Sequence, residues 1–571
     1  MGKYKIQKTK LWFLYGCLLG AVCFVLIYGT TVLNFTNDSW IMMSKDPDIK
    51  QHYLGWCHFR NTDWGFPFGM IKSLSSPFDM SVIYTDSIPL FAIVFKVFRS
   101  LLPLTFQYFG LYGLLSMMLT GGFATLVIKK VNNRIAFALV GPLVFILSPI
   151  MLFRMFYHTS LTSQWIILCA IYLIFDKAAY ASKYYQRDIW MLFGVLCVLI
   201  HIYYLPVIFG LICLASLEKM LSEKKFFANF VRMLGNVFIF GLFAFITMFI
   251  LGAFSVPVHS SNYGVGEFGA NINTFINPLG MSRVIKDMPL ASGFQYEGSS
   301  YLGLGMLILL IIVILMAVSK IISGKGLKMM FADTMAGSVV IVCIIYLFFS
   351  ISPLFAFGDR ILFSFKYPDR IAGIINVFRS NGRFIWPVFY FVILLLFYAI
   401  DKMVSDKWFA TALIIACVAI QLFDLSGYII KKHDVYAKWN KEYTNIWENN
   451  VGDKLENYNS FILFTDNNQI FQNVGYYTYL HNMKMNRFYY ARDIDEAVVA
   501  NLENIGEKIK NGDSEKDVVY VFDKTGYKEF TGSNLHFYNM KYIVFGTKNP
   551  IDGLTECSLN DLAEKEKNDW K

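Results

Sequence analysis

Charged residues are scarce in this chain of 571 residues. They make up 16% of it, against about 25% in soluble proteins. Hydrophobic residues make up 56% of the chain and aromatic residues 17%. This composition excludes an ordinary soluble domain. It predicts an α-helical polytopic membrane protein, because backbone inside a bilayer must satisfy its own hydrogen bonds.

The chain also lacks the signatures of several enzyme classes. It contains no Walker A loop, zincin motif, GxSxG elbow or dinucleotide fingerprint. All nine cysteines except Cys57 and Cys557 fall inside apolar runs, which suggests neither a disulfide framework nor a metal site. The net charge of +10 does not indicate nucleic-acid binding, because most basic residues flank apolar runs. We therefore expect a membrane function with no nucleic-acid partner.

Apolar runs long enough to cross a bilayer predict about eleven transmembrane helices. The shorter run Ile88–Leu102 carries Lys96 and Arg99 and predicts a surface or re-entrant helix. The run 190–217 is interrupted near His201 and predicts a hairpin of two short helices with its polar tip outward. The predicted spans are 11–33, 106–128, 135–153, 161–176, 188–201, 203–217, 229–252, 301–320, 336–352, 384–401 and 407–427.

Basic residues fix the predicted orientation. Lysines between residues 3 and 10 precede the first span, which we interpret as a retained signal anchor, so the N-terminus is expected in the cytoplasm. Long loops are uncommon and usually functional. On this topology three of them lie outside: 34–105, 253–300 and 353–383. The chemistry is therefore expected on the outer face of the membrane.

The composition becomes polar after Ser426 and predicts a second domain. Strand-like runs alternate there with a helical stretch, Ile494–Lys510, which is typical of a small α/β domain. The predicted strands are Phe461–Thr465, Asn486–Ala491, Val518–Phe522 and Tyr542–Gly546. We predict a transmembrane domain over 1–429, including the three loops, and an extracytoplasmic domain over 430–571.

Two acids early in the first loop are the candidate catalytic residues. A carboxylate at the membrane surface can act as general base toward a hydroxyl, or help to hold a divalent metal such as Mg²⁺ or Mn²⁺. Asp48 is preferred because Gln51 and His52 follow one helical turn later. Asp46 is the reserve, and Asp86 is a third choice. The alternative is that these acids cap short surface helices.

Aromatic and basic residues surround these acids. Trp56 and Arg60 follow His52 and are predicted to contact substrate, with the tryptophan stacking on a sugar ring. The alternative for the tryptophan is anchoring at the membrane interface, which is the commoner use of this residue there.

Two basic constellations lie at predicted outer helix ends. Arg154 and His158 form the first, and Arg379 and Arg383, followed by Trp386, form the second. Arginine offers a planar bidentate fork that suits a lipid phosphate. The alternatives are snorkelling to headgroups and ordinary positive charge at a loop-to-helix junction.

Three weaker candidates for substrate contact lie elsewhere on the outer side. Glu297 is predicted either to pair with an arginine or to touch an acceptor. His201 and Tyr204 stand at the tip of the predicted hairpin.

The motifs together resemble a known pattern. D-x-x-Q-H-x-x-G-W-x-x-F-R from Asp48, TDSIPL, R-x-x-x-H-T-S-L from Arg154, EGSSYLGLG and RSNGRFIWP look like those of a bacterial family of large membrane proteins. That family is similar to the GT-C superfamily of glycosyltransferases. The resemblance covers about residues 10–430. It implies an essential acid in the first outer loop, which falls on Asp48 or Asp46. It also implies that basic residues of outer loops hold the donor phosphate, here Arg154, His158, Arg379 and Arg383.

The function implied by this resemblance is sugar transfer on the outer face of a bacterial plasma (inner) membrane. The donor would be a sugar on a polyprenyl phosphate, and the acceptor a cell-envelope glycan or glycolipid. Transfer would invert the anomeric carbon, with an aspartate as general base. Two alternatives remain open: a flippase or exporter of lipid-linked saccharides, and a non-catalytic scaffold of an envelope polysaccharide assembly.

Overall fold

The computed structural model describes most of the chain. The described residues are 2–176, 183–256, 258–259, 265–323, 334–490, 493–494 and 496–557. Parts of the predicted loop 253–300 (residues 257 and 260–264), Ala491 of a predicted strand, and the end of the predicted C-terminal domain (558–571) therefore lie outside the described residues.

The described residues form mainly helices, joined by short strands. The helices are α1 Gly2–Tyr28, α2 Ser39–Met42, α3 Pro47–Asn61, α4 Pro89–Val97, α5 Phe109–Val131, α6 Ile135–Val140, α7 Pro142–Ile146, α8 Pro149–Arg154, α9 Trp165–Phe175, α10 Lys183–Ile200, α11 Tyr204–Glu223, α12 Phe226–Ile250, α13 Leu304–Ile322, α14 Thr334–Ile351, α15 Asp369–Asn376, α16 Trp386–Met403, α17 Lys407–Tyr436, α18 Ile446–Asn450, α19 Asn468–Leu480 and α20 Glu496–Lys510. The strands are β1 Met70–Ser75, β2 Phe78–Ser81, β3 Val258–His259, β4 Leu354–Phe357, β5 Arg360–Ser364, β6 Ser460–Phe464, β7 Lys484–Met485, β8 Asp493–Ile494, β9 Val518–Phe522, β10 His536–Met540 and β11 Ile543–Thr547.

Among the described residues, nine helical segments are long and apolar enough to cross a membrane. They are Gln7–Tyr28, Phe109–Val131, Ile135–Arg154, Tyr204–Glu223, Phe226–Ile250, Leu304–Ile322, Thr334–Ile351, Asn381–Met403 and Lys407–Tyr436. Thr159–Phe175 is a shorter apolar helix. A predominantly helical protein is thus confirmed, whereas the count of about eleven spans and their orientation stay predictions.

Two predicted interruptions of the helical pattern are confirmed. Ile88–Leu102 holds the nine-residue helix α4 and a short 3-10 turn, Arg99–Leu101, so it is too short to cross a bilayer. The apolar run 190–217 breaks between Ile200, where α10 ends, and Tyr204, where α11 begins.

The span that ends at Arg154 is assembled from three short helices. Gly141 separates α6 from α7, and Ser148 precedes α8, whose first residue is Pro149. Proline has no backbone N–H and therefore fits the first helical position. The Ser148 hydroxyl caps the helix by accepting the backbone N–H of Met151. This restart fixes the direction of the last helical turn, from which the Arg154 side chain projects.

The C-terminal part contains a five-stranded sheet with strand order β10-β11-β9-β6-β7. Strand β6 runs parallel to both β7 and β9, and β11 runs antiparallel to β9 and β10. Strand β9 is buried along its whole length, as expected for a central strand. The predicted small α/β part is thus confirmed, although helix α19 and strand β10 were not predicted.

One predicted strand, Asn486–Ala491, is wrong over its described residues. Only Lys484 and Met485 pair with β6. The next residue ends the ladder, because the Asn486 side-chain oxygen takes the backbone N–H of Leu463 at 2.8 Å. A side chain has replaced the carbonyl that a longer strand would supply.

The chain folds into two compact units that do not follow the order of the sequence. Unit 1 comprises Met1–Phe35, Tyr108–Phe245 and Ser261–Trp439. Unit 2 comprises Thr36–Gln107, Ile246–Ser260 and Asn440–Lys571. The first loop and the C-terminal region thus belong to one unit. The predicted sequence division at residue 430 stays a prediction.

Candidate functional site

Helix α3 in unit 2 carries the two candidate acids at its start. Asp46 is the residue that caps the helix: its side chain accepts the backbone N–H of Asp48 at 2.8 Å. Pro47 follows at the first helical position, and Asp48 lies in the first turn, where the helix dipole favours a negative charge. The capping alternative therefore holds for Asp46, while the Asp48 carboxylate does not form the cap.

His52 and Asp86 form a loose pair in the same unit. His52 Nε2 lies 3.9 Å from Asp86 Oδ2, and the Ser87 hydroxyl donates to the His52 carbonyl at 2.6 Å. Asp86 adopts a left-handed conformation (φ 53°), as does Ile88 (φ 54°). For a β-branched residue this conformation costs about 1–3 kcal/mol, and such strain tends to occur at functional sites.

Three other predicted substrate contacts in the first loop have side chains that bond to backbone carbonyls. Trp56 Nε1 donates to Phe106 at 3.1 Å, and Gln51 donates to Tyr84 at 3.4 Å. The Arg60 guanidinium donates to the carbonyls of Arg99, Leu102 and Pro103 at 2.7 to 3.1 Å. All three side chains are buried. We do not carry them into the proposed substrate site, because their polar groups stabilise the loop.

A buried cluster of two arginines and one glutamate lies in unit 1. Arg154 Nη2 donates to Glu297 Oε2 at 2.8 Å and Nη1 donates to Oε1 at 3.3 Å. Arg383 Nε donates to the same Oε2 at 2.8 Å. The three side chains are between 2% and 6% exposed. We call this group the Arg–Glu–Arg cluster.

The electrostatics of this cluster follow from its charges. Burial alone would raise the pKa of Glu297, but the electrostatic interactions with Arg154, Arg383 and His158 outweigh it and hold that pKa well below its usual range. Glu297 is therefore ionised. Since two guanidinium groups face one carboxylate, these three buried side chains together carry a net positive charge.

Backbone packing brings the two loops of the cluster together. Gly382 precedes Arg383, and a Cβ there would lie 2.8 Å from Gly298, the residue after Glu297. Asn381 holds the same turn by donating to the carbonyls of Phe349, Ser350 and Ser352 at the end of α14. The Asn381 side chain thus satisfies carbonyl groups at the end of α14, and Gly382 permits its turn to lie close to Gly298.

Aromatic rings lie beside the three candidate arginines of unit 1. The Arg383 guanidinium lies 4.2 Å from the Tyr203 ring centroid, and that of Arg379 lies 5.4 Å from the Phe268 ring. The buried Trp386 ring lies 5.7 Å from the Arg154 guanidinium. Arg379 is half-buried.

The hairpin-tip candidates have local structural contacts. Tyr204 donates its hydroxyl to the Leu161 carbonyl at 2.9 Å, and His201 Nδ1 accepts the Tyr203 backbone N–H at 3.1 Å. These bonds fix the turn between α10 and α11. Tyr203, which was not a predicted site residue, is the tip residue that reaches Arg383.

Asp38 is a second residue that sequence reasoning missed. It is buried and accepts the hydroxyls of Tyr53 at 2.9 Å and Tyr476 at 2.8 Å. Burial raises the pKa of this carboxyl, and the two hydroxyls partly offset that rise. Its position as the first acid after helix α1 was the available signal.

The described residues contain no ready cluster of metal-binding side chains. In that part of the chain, no group of three or more His, Cys, Asp and Glu side chains is arranged to hold a metal ion.

Two family models match the chain. One, described as "Domain of unknown function (DUF6311)", matches residues 17–426, and the other, "DUF6311 C-terminal domain", matches residues 453–547. The chain belongs to the DUF6311 family. The first match includes Asp48 and the whole Arg–Glu–Arg cluster.

Among the solved structures similar to this chain is that of the Archaeoglobus fulgidus oligosaccharyltransferase in the apo form. The TM-score is 0.46 with 11% sequence identity, over 95% of this chain and 75% of that chain. No curated protein matches the sequence. Membership of the DUF6311 family thus rests on the two family models.

Proposed function

We propose that this protein is a membrane glycosyltransferase of the GT-C type. It moves a sugar from a polyprenyl-phosphate donor to a cell-envelope glycan or glycolipid on the outer face of a bacterial plasma membrane. The observation that carries the proposal is the Arg–Glu–Arg cluster. The sequence resemblance assigns binding of the donor phosphate to both of its arginines. These two residues lie 229 positions apart in the sequence, yet they bind the same carboxylate.

The net positive charge of the cluster supports the phosphate role. A leaving phosphate keeps negative charge as its bond to the sugar breaks, and fixed guanidinium groups in a dry environment stabilise such charge strongly. Glu297 has a separate part: its two oxygens hold both guanidinium groups in one orientation before the donor arrives. Preorganised charge needs no rearrangement during the reaction.

Asp48 is assigned the role of general base. In the proposed reaction the acceptor hydroxyl oxygen attacks the anomeric carbon while its proton passes to the Asp48 carboxylate. The bond from that carbon to the phosphate oxygen breaks, and polyprenyl phosphate leaves with the electron pair. Direct displacement inverts the anomeric configuration. A phosphate leaving group requires no strong general acid, so one carboxylate suffices.

The base assignment is tested with Asp48→Asn in the full-length protein. The purified protein is supplied with polyprenyl phosphates carrying labelled hexoses and with envelope glycan as acceptor. We expect transfer to fall by about 10²- to 10⁴-fold, the usual contribution of a positioned base. Asp63→Asn is the matched control, since Asp63 lies in the same loop with a 90% exposed side chain. Full transfer by Asp48→Asn contradicts the assignment.

The phosphate assignment is tested by binding of polyprenyl phosphate itself. Arg154→Lys keeps the charge but loses the two-pronged contact, and we expect affinity to fall about tenfold. Arg360→Lys, on the exposed strand β5, is the control. Equal affinity of both variants contradicts the phosphate role.

The alternatives give different results in the same assays. A flippase moves the labelled lipid across a vesicle membrane and leaves its sugar attached. A scaffold neither consumes nor moves the donor, and it tolerates loss of Asp48 and Arg154 together.

A further inference from the structure

Helix α3 packs against helix α19 of the C-terminal region within unit 2. Hydrogen bonds join the two helices along their length. Gln472 Nε2 donates to the Pro47 carbonyl at 3.2 Å, and Asn61 Nδ2 donates to the Tyr479 carbonyl at 3.2 Å. The first of these bonds holds the residue between Asp46 and Asp48.

His58 makes a third bond in this contact. Burial lowers the pKa of His58 to about 4, so the ring is neutral near pH 7. Its Nε2 carries the hydrogen, because the partner at 2.8 Å is the carbonyl of Gly475, which only accepts. Its Nδ1 then accepts from the Ser73 hydroxyl at 2.8 Å. One buried imidazole thus joins α3 to α19 and to strand β1.

The Asp38 carboxylate makes a fourth connection. The same oxygen, Oδ2, accepts from Tyr53 on α3 and from Tyr476 on α19. A buried carboxylate without such donors would be strongly unfavourable, so the two hydroxyls are held to one point. The distance between the two helices is thereby fixed at the level of Tyr53, about one and a half turns after Asp48.

The C-terminal region also holds the strands that follow α3. The Ser76 backbone N–H donates to the Met485 carbonyl at 3.0 Å, and the Ser75 and Tyr490 hydroxyls lie 2.9 Å apart. Tyr479 donates its hydroxyl to the Leu104 carbonyl at 2.6 Å. The loop from Thr36 to Gln107 is therefore bonded to the C-terminal region at its start, middle and end.

We infer that helix α19 of the C-terminal region is a positioning element for helix α3 and hence for Asp48. The catalytic consequence rests on the proposed function, since it takes Asp48 as the base. Displacement of a base by a fraction of an ångström lowers the rate of proton transfer without changing donor binding. Tyr476 and Gln472 are the positioning residues, and neither is assigned to contact substrate.

The first test measures the position of α3 directly, by amide hydrogen exchange in the full-length protein. Tyr476→Phe removes one hydroxyl and keeps the ring, and Gln472→Met removes the donor to Pro47. We expect both variants to exchange faster over residues 47–61 than the wild type. Tyr538→Phe is the matched control, because its buried hydroxyl accepts from Ile551 inside the C-terminal region. Unchanged exchange in both variants overturns the inference.

The second test measures sugar transfer. We expect Tyr476→Phe to lower kcat about tenfold with little change in KM for the donor. The same substitution in an Asp48→Asn background should have no further effect, because both changes act through one carboxylate. A full additional loss there would show that Tyr476 acts elsewhere and would overturn the positioning role.

The two tests separate this inference from the proposed function. If Asp48→Asn transfers sugar normally, the base assignment fails, while the exchange measurement still decides whether α19 fixes α3. If Asp48→Asn is inactive and Tyr476→Phe matches Tyr538→Phe in both rate and exchange, only the positioning role fails.

Discussion

The Arg–Glu–Arg cluster of unit 1 and the His52–Asp86 pair of unit 2 each place a carboxylate beside basic side chains, but they hold it with different geometry. Glu297 is 3% exposed and accepts from two guanidinium groups at 2.8 Å. Asp86 is 21% exposed and lies 3.9 Å from an imidazole nitrogen. The first carboxylate faces two guanidinium groups, which keep their charge, whereas the second lies beside a single imidazole ring.

The difference in distance and burial determines how firmly each carboxylate is held. The buried Glu297 carboxylate is fixed by two arginines and keeps its charge when the pH changes, which suits the proposed phosphate site. The backbone also differs, because left-handed conformations occur at Asp86 and at Ile88, beside the His52–Asp86 pair.

The largest expected effect is on the fixed cluster. Glu297→Gln leaves two buried guanidinium groups without a countercharge, and we expect the free energy of unfolding to fall by about 3–5 kcal/mol. Thermal unfolding in detergent, followed by tryptophan fluorescence, measures it. A stability equal to that of the wild type would show that Glu297 is not needed to balance the arginines.

Acid should weaken the two units at different pH values. His58 has a folded pKa of about 4, below the ordinary value of about 6.5. Its stabilising contribution to unit 2 is full above pH 6.5 and is lost as the pH falls toward 4. The folded pKa of Glu297 is also lowered, from an ordinary value of about 4.3. Its contribution is therefore still full at pH 5.

Hydrogen exchange at pH 7.5 and pH 5, corrected for intrinsic rates, measures this contrast. We expect α3 and α19 to lose protection at pH 5 while the turns around Glu297 and Arg383 keep theirs. The loss at the helices should reach about 2 kcal/mol, since one pKa unit corresponds to about 1.4 kcal/mol. His58→Gln should make the helices insensitive to this change. Equal losses in both units would contradict the contrast.

The smallest expected effect is on the loose pair. Asp86→Asn is the same carboxylate-to-amide change as Glu297→Gln, and asparagine tolerates the left-handed conformation equally well. Because the two side chains are farther apart and Asp86 is partly exposed, we expect the free energy of unfolding to change by less than about 1 kcal/mol. Thermal unfolding under identical conditions gives the comparison. A loss as large as that of Glu297→Gln would remove the distinction between the clusters.

Local features of the fold were predictable from the sequence. The break near His201 and the strand Val518–Phe522 follow from residues that are neighbours in the chain. The short helix α4 followed from an apolar run too brief to cross a bilayer. The predicted strand was wrong over its described residues, 486–490, because the Asn486 side chain competes for the ladder, which composition does not reveal.

The candidate site was predictable as a set of residues but not as a set of contacts. Arg154, Glu297 and Arg383 were each selected from the sequence as candidates. That one carboxylate joins both arginines required structure, because Glu297 lies 143 residues from one and 86 from the other. Likewise, Trp56 and Arg60 looked like substrate contacts, yet their polar groups bond to backbone carbonyls of their own loop.

The sequence by itself determined a helical membrane protein, its helix breaks and the acidic and basic residues at the ends of its helices. These depend on hydropathy, charge and turn chemistry, which act over a few residues. Only the tertiary structure decided that Glu297 neutralises part of the arginine charge and that Tyr476 reaches Asp38 across 438 residues. Such contacts depend on how distant segments share one buried space, and no local pattern encodes that.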